Sequence, residues 1–451
     1  MAVIQDFSTE LLYTVFQMVQ ARDQRLRPSG SLRCCRSRLR SLTILSLVCK
    51  SWRGVILEYG TLWASIPVDT SIPGYLESTS TMLKRSNGAE LELSVYLDVN
   101  LDGPDRTRGV VRIFTHGGAR IRSLHLITDS RHISKRGLQL SEIAANAIAS
   151  ISEFIRPELH PTAQHPTNLF RGLSDLSLSL PSSAVIVNLS LILNFIVSCP
   201  ELEYLRLASF LLINEDCAST SSVRMPNLLR LSLRRCDSAI ILSHFVTPKT
   251  SSIDIVMNPR RTHSSLAHPH ILTAFPHLPT NIHALEETTK LTLEEDEIKG
   301  GFCLSLSPLS SRTPPLVIIN RSPTSKRFIP RSLSAIAVHS YFGGIKFFTF
   351  SYSLRVPTSW PIVLSRLSLL SELDTSTQHA TDAVCALIHP RFDGSPLCPS
   401  LERITFRTRS GRGGPRIDHV LLDAFHQFRV ELHCATVRII LVADELDGNS
   451  G

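Results

Sequence analysis

The chain has no apolar run of membrane-spanning length. Its most apolar stretch, residues 184–199, is interrupted by Asn188, Ser190, Asn194 and Ser198 and falls short of the roughly 20 residues a transmembrane helix needs. That stretch reads as a buried helix, and no membrane partner is expected. No basic segment precedes an apolar one at the start, so no secretory leader is expected either. The ten cysteines are scattered and none stands in a C-x-x-C pair, which removes the zinc-ribbon and dithiol-redox readings and fits reduced thiols in a cytoplasmic or nuclear protein. Also missing are a Gly-rich phosphate loop, a G-x-S-x-G elbow and an H-E-x-x-H pair. A non-catalytic protein without cofactor is the expectation.

Two clusters tempt a metal reading and do not support it. His263, His268, His270, His277 and His283 are interrupted by Pro269, Pro276 and Pro279, with no accompanying ligand spacing. Glu294, Glu295, Asp296 and Glu297 lack the Asp and Gly positions of a calcium loop and read as a solvated acidic turn. The formal net charge of +8 is largely local. Between Arg22 and Arg53 stand Arg25, Arg27, Arg33, Arg36, Arg38, Arg40 and Lys50 against Asp23 alone. No aromatic residue lies among positions 22–40 to stack on bases, so solvated charge is favoured over nucleic-acid binding. A second basic stretch, Gly411, Arg412, Gly413, Gly414 and Pro415 with Arg403, Arg407 and Arg409 on the strand before it, reads as a solvated edge.

What is present is a globular composition, 43% hydrophobic and 19% charged over 451 residues, enough for a substantial core. Leu11, Leu12, Val15, Phe16 and Val19 share one helical face, with Ser8 as the N-cap and Glu10 in the first turn. An arginine-rich connection with Pro28 and Gly30 follows. Leu45, Val48, Cys49, Trp52, Val55 and Ile56 repeat the helical spacing as far as Gly60, and Leu62 and Trp63 come next. A short helix is expected within 71–88, stopped by Asn87 and Gly88.

Beyond it an L-x-x-L-x-L pattern recurs as Leu173, Leu176, Leu178, as Leu202, Leu205, Leu207, and as Leu228, Leu231, Leu233. The intervals, 202 − 173 = 29 and 228 − 202 = 26 residues, are those of a leucine-rich repeat, in which each unit supplies a strand and a returning segment. Weaker copies include Ile121, Leu124, Leu126; Ile253, Ile255; Leu291, Leu293; and Leu401, Ile404, Phe406. Pro200, Pro226 and Pro399 stand two residues before their repeats. Residues 300–361, rich in Ser and Pro, lose the pattern and read as a poorly ordered insertion. Periodicity returns with a helix at Ala380, Val384 and Leu387, a strand at 401–406, a helix at 420–428 and a strand at 437–442.

The N-terminal seventy residues resemble the F-box motif of large fungal families. The matching stretches are Phe7-Ser-Thr-Glu-Leu-Leu-Tyr-Thr-Val-Phe16, Leu45-Ser-Leu-Val-Cys-Lys-Ser-Trp-Arg53 and Leu62-Trp-Ala-Ser-Ile66. Ser8 stands where that family usually has proline, and the 22–42 connection is longer than a minimal F-box. The resemblance implies a three-helix module docking a Skp-type adaptor that binds a cullin. It would use Phe7, Leu11, Leu12, Phe16, Leu45, Leu47, Val48, Cys49, Trp52, Leu62 and Trp63, while the repeats bind a target protein for ubiquitin-dependent degradation. The expected fold class is therefore α/β, in the α+β repeat sense. A small all-helical module over 1–70 and a connecting helix over 71–88 precede an irregular leucine-rich-repeat solenoid over 89–451.

Overall fold

A computed structural model describes residues 7–25, 32–98, 109–110, 112–114, 117–129, 170–179, 186–209, 211–213, 222–234, 236, 238–248, 251–257, 288–296, 301–307, 316–320, 340–351, 360–391, 393–409 and 418–444. It is a mixed α/β fold whose strands are mostly parallel. The chain divides into two units, Met1–Leu231 with Arg235–Asp237 and Ser232–Arg234 with Ser238–Gly451.

The first unit opens with helices α1 (Thr9–Arg25), α2 (Leu32–Ser46) and α3 (Lys50–Glu58), then a 3-10 turn at Gly60–Trp63. Strand β1 (Ser65–Asp69), helix α4 (Tyr75–Arg85), β2 (Leu91–Asp98), β3 (Ile121–Asp129), β4 (Asp175–Ser179), helix α5 (Leu189–Val197) and β5 (Tyr204–Ala208) follow, and the division between the units falls within β6 (Arg230–Arg234). Pairing is parallel from β1 through β5. Because parallel partners in register lie on the same face, the apolar positions stack into two rows. One is Ile66, Leu93, Leu124, Leu176, Leu205 and the other Val68, Val95, Leu126, Leu178, Leu207. All ten are buried, each adding about 1.5–3 kcal/mol to the core. Pro67 is tolerated because, among the described residues, β1 is an edge strand with one side of its backbone outside the ladder.

Each strand is entered through the same corner. Leu173, Leu202 and Leu228 donate their N–H groups to the carbonyls of Phe170, Cys199 and Met225 at 3.0, 3.2 and 3.3 Å. The carbonyl of Ser174 then accepts from both Glu203 and Tyr204, and that of Glu203 from both Leu229 and Arg230. The leucine that opens each motif is thus the buried pivot of a turn, and the two that follow line the core.

In the second unit α6 (Ser238–His244) precedes β7 (Ser252–Met257), β8 (Lys290–Asp296), β9 (Gly301–Ser307), β10 (Leu316–Asn320) and β11 (Phe347–Ser351). Then come α7 (Trp360–Arg366), β12 (Glu372–Ser376), α8 (Ala380–Ile388), β13 (Arg403–Arg409), α9 (His419–Glu431) and β14 (Arg438–Asp444). Strand β9 is antiparallel to both β8 and β10, whereas β7 with β10, and β8 through β11, β12, β13 and β14, pair in parallel.

Several expectations need correction here. Residues 300–361 are not without pattern, since β9, β10 and β11 fall inside them. Ile345, Phe348 and Phe350 repeat the corner-and-strand geometry, with Ile345 donating to Phe342 at 3.0 Å; aromatic side chains replace the leucines and fill the same buried positions. Leu370 and Leu373 form a further copy. The acidic run is not a turn, because Glu294, Glu295 and Asp296 extend β8 opposite Cys303, Phe302 and Gly301. At the other end, residues 65–69 join the sheet as β1, so the stretch 1–70 is not wholly helical. The histidine cluster, the glycine-rich loop at 411–415 and Glu297 lie outside the described residues.

Helix α9 is tied to the turns on either side of it by a buried cation. Arg429 of α9 donates to the carbonyls of Cys398, Pro399, Leu401 and Ala435. The guanidinium fork satisfies several turn carbonyls at once.

Candidate functional site

The first three helices present the most distinctive surface. Ser8 Oγ accepts from the Leu11 N–H at 3.3 Å, and the Ser8 carbonyl accepts from Leu12 at 3.0 Å, which is an N-cap geometry. The Glu10 carboxyl is held below its usual range by its own backbone hydrogen bond and then by the Ser8 hydroxyl. Along α1 the apolar residues divide between two faces. Leu12 and Phe16 are buried. Leu11, Val15, Met18 and Val19, spaced i, i+4, i+7 and i+8, are exposed, as is Phe7 just before the helix.

The arginine-rich connection is largely helical, contrary to the loop expected over 22–42, because α1 continues to Arg25 and α2 begins at Leu32. Arginine is a good helix former, and Arg36 forms an ion pair with Asp69 of β1. Helix α2 carries Leu45 in its last turn. The expected helix from 45 to 60 is interrupted, because Leu47 and Val48 occupy a tight turn, their N–H groups donating to the Ile44 and Leu45 carbonyls at 3.0 and 3.2 Å. Both side chains face solvent, at 69% and 57% exposure, and Ile44 beside them is 55% exposed. Cys49 is the N-cap of α3, its Sγ accepting from the Trp52 N–H at 3.5 Å.

Behind this surface lies a tight core. Trp52 meets Phe16 edge to face at 5.1 Å, and Tyr13 stacks on Tyr59 at 4.5 Å. Leu62 and Trp63 are buried, with Trp63 Nε1 donating to the Ile56 carbonyl at 2.7 Å. The Arg85 guanidinium covers the Trp63 ring at 4.5 Å. Gly60 cannot bear a side chain, since a Cβ there would lie 2.3 Å from the Ser86 carbonyl. The eleven residues singled out in the sequence therefore separate by role. Leu12, Phe16, Leu62 and Trp63 are core, Leu45, Cys49 and Trp52 are half-buried, and Phe7, Leu11, Leu47 and Val48 are exposed. Val15, Met18, Val19 and Ile44 extend the exposed set; Val15 and Val19 share a helical spacing with Leu11 that could have identified them.

The repeat strands carry a second polar feature. Ser94, His125 and Ser177 are in register on β2, β3 and β4 and are buried, and Ser123 Oγ lies 2.9 Å from His125 Nε2. Burial is the main cause that lowers the His125 pKa, and burial likewise raises that of Asp175. Burial also pushes the Cys199 and Cys398 thiols up to about 12, which makes both poor nucleophiles. Among the described residues no group of three His, Cys, Asp or Glu side chains is arranged to hold a metal ion, and no helix is long and apolar enough to cross a membrane. No family model matches the chain, and no curated protein matches it.

Proposed function

We propose that the chain is a non-catalytic substrate-recognition adaptor of a cullin-type ubiquitin ligase. Its N-terminal helices act as an F-box that docks a Skp-type adaptor, and its strand-and-return units act as a leucine-rich-repeat array that holds a target protein. The observation that carries this reading is the exposure of Leu47 and Val48, inside the stretch that most resembles the F-box, beside Trp52 and Trp63, which pack inward. Large apolar side chains held in water on an ordered turn are the mark of a partner site. Leu11, Val15 and Val19 on α1 enlarge the apolar surface. Ser8 caps α1 by its side chain, so the absence of the family's proline does not remove the helix start. The ligase would work by proximity, a bound target lysine being held at high effective concentration near the conjugating enzyme. The parallel strand ladder supports the repeat reading through its corners, which recur with the same hydrogen bonds in both units.

Co-purification of the full chain with a Skp-type adaptor tests the proposal. Stoichiometric capture is expected, and Leu47→Asp with Val48→Asp should abolish it while leaving the circular dichroism spectrum and melting temperature in place. Failure of the unaltered chain to bind would overturn the adaptor role and leave a repeat scaffold that keeps its helices for packing alone.

A further inference from the structure

Among the described residues nothing extends the buried rows of the second unit past β14. On β13 Ile404 and Phe406 are fully buried, and their register partners on β14 are Ile439 and Leu441. Register partners in a parallel pair face the same way, so Leu441 continues a core row, yet it is 65% exposed. Val430 of α9 is 71% exposed as well. A repeat array needs a polar cap on its terminal unit, and the sequence of β14 between Arg438 and Asp444 is Ile-Ile-Leu-Val-Ala. Among the described residues no strand pairs with its outer edge.

The direction of the free backbone groups follows from one bond. The Arg438 N–H donates at 2.8 Å to the carbonyl of Glu402, the residue just before β13. In a parallel ladder alternate residues serve the same neighbour, so residues 438, 440 and 442 face β13 and residues 439, 441 and 443 present their N–H and C=O groups to the open edge.

We infer that this edge is a self-association site, at which two copies of the chain pair β14 antiparallel about a two-fold axis through Leu441. Residue 441 is an edge-facing position, so the two copies exchange N–H···O=C bonds at the axis as a hydrogen-bonded antiparallel pair, and residue 439 meets residue 443 in the same way. Arg438 of each copy comes into register with Asp444 of the other, giving opposite charges at both ends of the paired segment. The contact is isologous and closes on itself, so it stops at a dimer and does not extend into a fibre. A parallel arrangement would lack that closure and would set Arg438 beside Arg438.

Sedimentation of the full chain, with cysteine cross-linking, tests this. The unaltered chain is expected to be a dimer at micromolar concentration, and Leu441→Asp, which sets two carboxylates against each other at the axis, should weaken it by at least about tenfold. Arg438→Asp should weaken it too, and adding Asp444→Arg should restore it. A Leu441→Cys chain should cross-link to a covalent dimer on mild oxidation where the unaltered chain does not, because a hydrogen-bonded antiparallel pair sets Cα atoms about 5.5 Å apart, within disulfide reach. Leu47→Asp with Val48→Asp should leave the dimer intact, which separates this edge from the N-terminal surface. A monomeric unaltered chain, a dimer indifferent to Leu441→Asp, or absence of the cross-link would overturn the inference.

Discussion

The N-terminal helices and the strand ladder use the same residue types to opposite ends. In the ladder every leucine of the recurring motif is buried, Leu173, Leu176 and Leu178 as fully as Leu228, Leu231 and Leu233. In the helices an equally apolar set is divided, with Leu12 and Phe16 inside and Leu11, Val15, Leu47 and Val48 outside. A strand in a stacked sheet has neighbours on both sides that continue its apolar row. Three short helices have only one inner face to fill, and the remaining apolar positions are left for a partner.

Substitutions that move residues across this divide should show it, and the largest effect is expected inside the helical core. Phe16→Ala should cost about 3–5 kcal/mol in denaturant unfolding and should also lose adaptor capture, because the exposed face loses its support. A smaller effect is expected from acidification. His125 has a lowered folded-state pKa, so the unfolded chain takes up a proton that the folded chain resists. Its contribution is complete above the ordinary histidine value of 6.5 and falls as pH drops below it toward the folded value. Asp175, raised by burial, acts in the opposite sense, and the two titrate as a pair. His125→Gln should flatten the slope of melting temperature against pH just below neutrality, and an unchanged slope would remove His125 as its source. The smallest effect is expected at the exposed turn, where Leu47→Asp with Val48→Asp should change stability by no more than about 0.5 kcal/mol. A loss of several kcal/mol there would make these side chains core and abolish the contrast.

The ladder was the more legible part. Its period is written in leucines, and the strands around Leu176, Leu205, Leu231 and Ile404 stand where the spacing puts them. Legibility failed where chemistry was kept and letters changed, as at Ile345, Phe348 and Phe350, where an isoleucine and two aromatic rings take the leucine positions in a segment crowded with Ser and Pro. The helix start at Ser8 and the helix α4 were also readable, each from local capping and turn signals. The helical course of the arginine-rich segment was not, since charge density alone does not distinguish a solvated loop from a helix with one face against β1.

For the surface itself, helical periodicity determined that residues 11, 12, 15, 16 and 19 stand near one another, and it could not divide them. Successive residues lie about 100° apart on a helix, so one apolar stripe serves equally as core or as interface until the position of α2 and α3 decides which edge is covered. The same holds at the far end. The run from Val437 to Val442 was readable as a strand, whereas its standing as an uncovered edge depends on β13 lying on one side and on no strand, among the described residues, lying on the other. Local patterns determine which groups are apolar and how they are spaced. Burial is a property of what packs against them, and only the tertiary structure supplies it.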